Sequence, residues 1–220
     1  MRERSSSVRL RPARSLRRAA IALAVLALGA CGTPPPTHFH SLMPLEVAAR
    51  PGAPAAAPAA GPVIVLEAIR MPAQVDQAQW LVQLGDDSMA VLEQERWASP
   101  LRDELQQALL EELIVGQGAI DARTQPAPGA AATRVAIDVR RFDSLPGREA
   151  RIQGSWTITG SDARRASRCE WLIREPAPGS FPALAAAHRR AVVRLGAAIG
   201  QSLARLQRGE AAACPSLDSR

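Results

Sequence analysis

The chain reads as an α/β protein of the α+β kind, a two-layer sandwich in which an antiparallel or mixed sheet carries two packed helices. Three observations predict it. Short segments with apolar residues at alternate positions recur between turn signals. Two longer segments repeat apolar residues at helical spacing. The order is strands, helix, strands, helix, and consecutive strands with tight turns favour antiparallel pairing with both helices on one face.

The elements follow in order. Residues 38–45 (HFHSLMPL) can form a short first strand. Residues 46–62 (EVAARPGAPAAAPAAGP) are too rich in Pro and Ala to pack. They read as a linker that reaches ~50 Å at ~3.1 Å per residue. Residues 63–69 (VIVLEAI) have the pattern of a buried strand. Residues 79–84 and 88–93 flank Gly85-Asp86-Asp87 as a hairpin. Ser99 and Pro100 then open a helix as N-cap and first residue, with Asp103 and Glu104 near its positive end. Leu101, Leu105, Leu109 and Leu113 give that helix one apolar face.

Residues 116–129 read as a loop. In residues 133–142, Val135, Ile137 and Val139 point one way, while Arg134, Asp138 and Arg140 are among those pointing the other. Pro146-Gly147 is a turn into a strand over 148–159, with Ile152, Trp156 and Ile158 on one face and Gly154 between them. Residues 168–174 form a third strand, and residues 180–206 a long helix. Gly196 and Gly200 lie one turn apart on that helix and permit close approach. Helix-on-sheet packing is the simpler reading of them, and a partner-helix interface the other.

The N-terminus has its own logic. Seven arginines precede an apolar run at 19–28, then Leu28-Gly29-Ala30-Cys31. Ten apolar residues are roughly half of the ~20 that cross a bilayer as a helix. Small residues before a cysteine resemble the lipobox cut by lipoprotein signal peptidase. Cys31 is therefore the candidate lipidation site, and an anchor of more than one acyl chain would hold firmly. Arg17-Arg18 also allows twin-arginine export. Gly32, in place of an Asp, favours outer-membrane over inner-membrane sorting. The expected organisation is a signal peptide (1–30), a lipidated tether (31–37), a short strand and linker (38–62), an α/β domain (63–207) and a tail (208–220).

The formal charge of +6 and pI near 10.9 invite a nucleic-acid reading. The seven arginines and single glutamate of residues 1–30 carry all of it, and the remainder is neutral, with 20 Arg against 20 acidic residues. No basic run with interleaved aromatics is left, which speaks against nucleic acid.

Few residues suggest chemistry. His38 and His40 would share a strand face, which leaves a weak metal site open with no further ligand nearby. His188 reads as a core-edge or surface residue. Glu111 and Glu112 are helix neighbours that point apart. No nucleophile elbow, phosphate loop or Cys-x-x-Cys occurs, so no catalytic residue, metal or cofactor is assigned. Arg140 and Arg141 are available to acidic headgroups, with a solvated strand face as the default. Cys169 and Cys214 are a candidate disulfide in an oxidising compartment; spacing alone leaves pairing open. Trp80, Trp97, Trp156 and Trp171 read as core, with a contact role open for Trp80 and Trp171.

Four segments carry a family resemblance: HFHSLMP after the cysteine; Met71-Pro72-Ala73-Gln74-Val75-Asp76 after the first long strand; Glu95-Arg96-Trp97-Ala98-Ser99-Pro100-Leu101 at the helix start; and Arg141-Phe142-Asp143 with Pro146-Gly147 and Trp156. Together they resemble the ABC-type transport auxiliary lipoprotein family, which includes paraquat-inducible protein C-like lipoproteins. Gln77-Ala78 departs from the family's usual Arg-Pro, and the Pro/Ala insert is long. The resemblance implies a non-catalytic lipoprotein at the periplasmic face of the outer membrane. Its partners would be an MCE-domain protein and an ABC permease and ATPase, in intermembrane lipid transport. A homo-oligomer is compatible with it. An unrelated outer-membrane assembly lipoprotein is the alternative reading, and a periplasmic hydrolase a third.

Overall fold

The computed structural model describes residues 35–43, 61–85, 87–125, 131–160, 166–210 and 213–217. The signal segment, Cys31 and most of the Pro/Ala stretch lie outside them. The strands are β1 (His38–His40), β2 (Val63–Leu66), β3 (Gln79–Gln83), β4 (Met89–Trp97), β5 (Ile120–Asp121), β6 (Thr133–Leu145), β7 (Glu149–Thr159) and β8 (Ala166–Pro176). The helices are α1 (Leu101–Glu111) and α2 (Phe181–Gln207), and a π turn (Glu112–Gly116) continues α1.

The α+β class is as expected, but the sheet is divided in two. A five-stranded sheet has the order β5-β2-β6-β7-β8, and a three-stranded sheet the order β1-β4-β3. The strands β6, β7 and β8 pair antiparallel in sequence order. In contrast, β2 runs parallel to both β5 and β6, and β1 parallel to β4. Such parallel pairs join segments distant in sequence, so no hairpin pattern announces them.

Alternation makes the core. Ile152, Gly154, Trp156 and Ile158 of β7 stand beside Ile173, Trp171, Cys169 and Ser167 of β8, and all are buried. Gly154 is required there, because a Cβ would fall 2.2 Å from the Asp138 carbonyl oxygen. Leu101, Leu105, Leu109 and Leu113 all turn inward. The long helix α2 packs on β7 and β8 with one side and on α1 and the π turn with another. This double contact explains its wide buried surface, from Leu184 to Leu203.

Several local expectations shift. Pro100, not Ser99, occupies the cap position of α1, with no side-chain cap bond. The Ser99 hydroxyl instead reaches Glu104, 3.1 Å away. The expected loop after residue 116 contains β5, whose two residues gain strand character only by pairing with β2. The α2 glycines face the end of α1 instead of a sheet. A Cβ on Gly196 would lie 2.3 Å from Glu112 Cγ, and one on Gly200 2.6 Å from the Gln117 side chain. They make room for the π turn that ends α1.

Candidate functional site

The site grows from β1, the first strand after the tether. Its parallel register places His38 opposite Glu95 and His40 opposite Trp97. Alternation then sends both imidazoles to the face that carries the Glu95 carboxylate. His38 Nδ1 lies 2.9 Å from Glu95 Oε1, and His40 Nε2 lies 2.5 Å from Oε2. Burial raises the Glu95 pKa, but hydrogen bonds from His40 and His38 and their charges outweigh it, and the net shift is below 4.5. Beside this clasp lies an open cleft of about 740 Å³ with Phe39, Pro146, Phe181 and Pro182 in its walls.

A buried polar chain runs beneath the clasp. The His40 ring meets Trp80 edge-on at 4.9 Å. Trp80 Nε1–H donates to Ser144 Oγ at 2.8 Å, and Ser144 Oγ lies 2.8 Å from His188 Nε2. A hydroxyl oxygen has lone pairs for two donors, so the direction of the Ser144–His188 bond follows the imidazole tautomer, and the ring nitrogen left over is Nδ1. That Nδ1 is buried without a partner. The His188 ring stacks on Phe142 at 4.2 Å, and burial pulls its pKa down to about 3. His188 is thus a core residue, not the core-edge or surface residue its alanine-rich helix suggested.

A serine hydrogen-bonded to a neutral imidazole is also the beginning of a nucleophile–base pair. Here Ser144 is 2 % exposed and His188 0 %. The pair offers no atom to a substrate. It reads as a core contact.

A second link holds the segment that follows β1. Glu104, in the first turn of α1, is buried and accepts from Ser41 Oγ at 2.7 Å, Leu42 N at 2.8 Å and Ser99 Oγ at 3.1 Å. Arg189 of α2 donates to the Ser41 carbonyl at 3.0 Å. Sequence reasoning took Glu104 as a helix-terminus charge and missed this role. The acceptor for Leu42 lies 62 residues away, so no local pattern could reveal it.

The remaining candidates separate. Cys169 and Cys214 form a disulfide, with Cα atoms 5.4 Å apart. It pins the tail after α2 to β8, the edge strand of the larger sheet, and Arg194 holds the Leu217 carbonyl at 2.9 Å. Arg140 pairs with Glu170, and Arg141 with Asp143. All four tryptophans are buried. Among the described residues no group of His, Cys, Asp and Glu is arranged to hold a metal ion. No helix among them is long and apolar enough to cross a membrane.

The family model for the ABC-type transport auxiliary lipoprotein component matches residues 44–200. The chain belongs to this family. It is accordingly an auxiliary lipoprotein of ABC-type transport, not a member of a known enzyme family. No curated protein sequence matches the chain. Among solved structures, an uncharacterized protein is 16 % identical with a TM-score of 0.61, covering 76 % of this chain and 98 % of its own. A Xanthomonas campestris protein of the DUF330 family is 20 % identical with a TM-score of 0.55, covering 69 % and 91 %. These likenesses concern the fold alone.

Proposed function

We propose that this auxiliary lipoprotein is anchored through acylated Cys31 to the periplasmic face of the outer membrane. There it serves as a non-catalytic docking component of an ABC/MCE-type intermembrane lipid transport system. Family membership over residues 44–200 carries the reading. The chain's own geometry supports it. His38 is the seventh residue after Cys31, so β1 lies within ~25 Å of the acylated residue even on a fully extended tether. A domain on so short a leash works next to the membrane. The clasp and the Glu104 link secure the segment through which the leash enters the fold. The open cleft beside them, on the side walled by Pro146, Phe181 and Pro182, is a recess for a partner. The Cys169–Cys214 pair suits the oxidising periplasm.

The test is mild crosslinking of intact envelopes followed by capture of the lipidated protein. An MCE-domain protein should come with it and be lost when residues 63–207 are deleted while the anchor is kept. Cys31→Ser should release the chain from the membrane fraction. Capture of outer-membrane assembly proteins alone would reject the transport assignment.

A further inference from the structure

The three-stranded sheet has one face turned away from the core. His38, His40, Glu95 and Trp97 occupy the inward face, so their neighbours Phe39 and Arg96, paired in register, point outward. At the other end of β4, Trp80 and Val82 of β3 are buried. The β3–β4 register shifts between Gln79 and Trp80, so Val91 and Met89, the partners of Leu81 and Gln83, share the outward face with Arg96, the partner of Gln79. Phe39 is 65 % exposed, Met89 51 % and Val91 46 %. Arg96 sits among them with its Nε buried and unpartnered, and its guanidinium makes no ion pair among the described residues. Exposed Glu93 and Gln94 interrupt the apolar strip in the middle.

We propose that this outward face lies on the phospholipid surface, with Phe39 entering the interfacial layer and the Arg96 guanidinium taking a lipid phosphate. The inference rests on the anchor reading above. Phe39 is the eighth residue after Cys31, which keeps it within ~30 Å of the acyl chains on a fully extended tether. A tether of that length raises the effective concentration of the face at the bilayer, so weak contacts suffice to orient the domain. Arginine suits phosphate because its planar fork presents parallel donors. Exposed apolar side chains beside an anchor add a second attachment to the first. The charged outer face of the larger sheet, with Arg140, Glu170 and Arg168 in mutual ion pairs, offers no such surface.

The experiment uses the full lipidated chain in vesicles of phosphatidylethanolamine and phosphatidylglycerol. An environment-sensitive fluorophore is attached through Val91→Cys, and in a second sample through Glu170→Cys on the larger sheet. Doxyl-labelled lipids then serve as quenchers, and mass spectrometry of the same samples reports acylation of Cys31. Quenching severalfold stronger at position 91 than at 170, and reduced by Phe39→Ser with Arg96→Gln, is the expected result. Equal quenching at both positions in an acylated chain overturns the orientation and leaves the anchor standing. A position 91 label that is shielded in envelopes but unquenched by lipid overturns it in favour of a protein covering the face. An unacylated chain overturns the anchor, and this inference with it.

Discussion

Replacing Glu104 by alanine should detach the tether segment from the domain before it unfolds the domain. The carboxylate holds three donors: the Leu42 amide and the hydroxyls of Ser41 and Ser99. The hydroxyls are partly buried and can turn to water, so their loss is modest. Leu42 is 2 % exposed, and a buried amide without an acceptor costs about 1–3 kcal/mol. Together the change should cost about 3 kcal/mol. For a domain of this size that lowers Tm by about 6–12 °C, at about 2–4 °C per kcal/mol. Glu104→Gln keeps one acceptor oxygen and should lose roughly half as much. Urea unfolding followed by the fluorescence of the buried tryptophans measures the total. Hydrogen exchange at Leu42 measures the local opening, which should become far easier than global unfolding. A Glu104→Ala protein within about 0.5 kcal/mol of wild type, with the Leu42 amide still protected, would refute the reasoning, since that is the spread of inconsequential surface changes.

Other consequences can be checked in the same assays. His188 has its folded pKa lowered from 6.5 to about 3, so the unfolded chain binds the extra proton in that window. Its contribution to stability should be intact above 6.5 and fall by about 1.4 kcal/mol per pH unit between those values; His188→Gln should flatten that slope in pH-dependent melts. Gly154→Ala pushes a Cβ against the Asp138 carbonyl oxygen and the Trp171 ring and should cost about 1–3 kcal/mol, read from the shift in urea midpoint. Cys214→Ser opens a link with a sequence separation of 45, and chain entropy sets its cost at up to about 4 kcal/mol. A melt that reductant leaves unmoved would count against any role for that link in stability.

What the sequence made legible was whatever repeats locally. The leucine ladder of α1, the β6–β7–β8 meander and the inward tryptophans follow from periods of 3.6 and 2.0. The lipobox-like tetrapeptide at Cys31 is equally local, as are the segments shared with the family. Long-range pairing was illegible. It extends β4 to Trp97, because β1 lies alongside its last residues, and it makes a strand of Ile120–Asp121. It also divides the strands between two sheets. The candidate site suffered most. His38 and His40 stood out as a pair, but Glu95, the group that joins them, sits 57 and 55 residues away. His188 looked peripheral among alanines because the side chains that enclose its ring, Trp80, Trp97, Phe142 and Ser144, are distant in sequence.

The pairing of β1 also determines how the domain bears tension. A pull on the residues before β1 enters at His38 and runs along the strand axis, parallel to β4. In that direction the backbone bonds of β1 are sheared together instead of peeled one at a time. Glu95 braces the strand's side chains, and Glu104 with Arg189 grips the residues just after it. A pull on β1 is therefore shared between β4, which it shears against, and the helices α1 and α2, which hold the residues just after it.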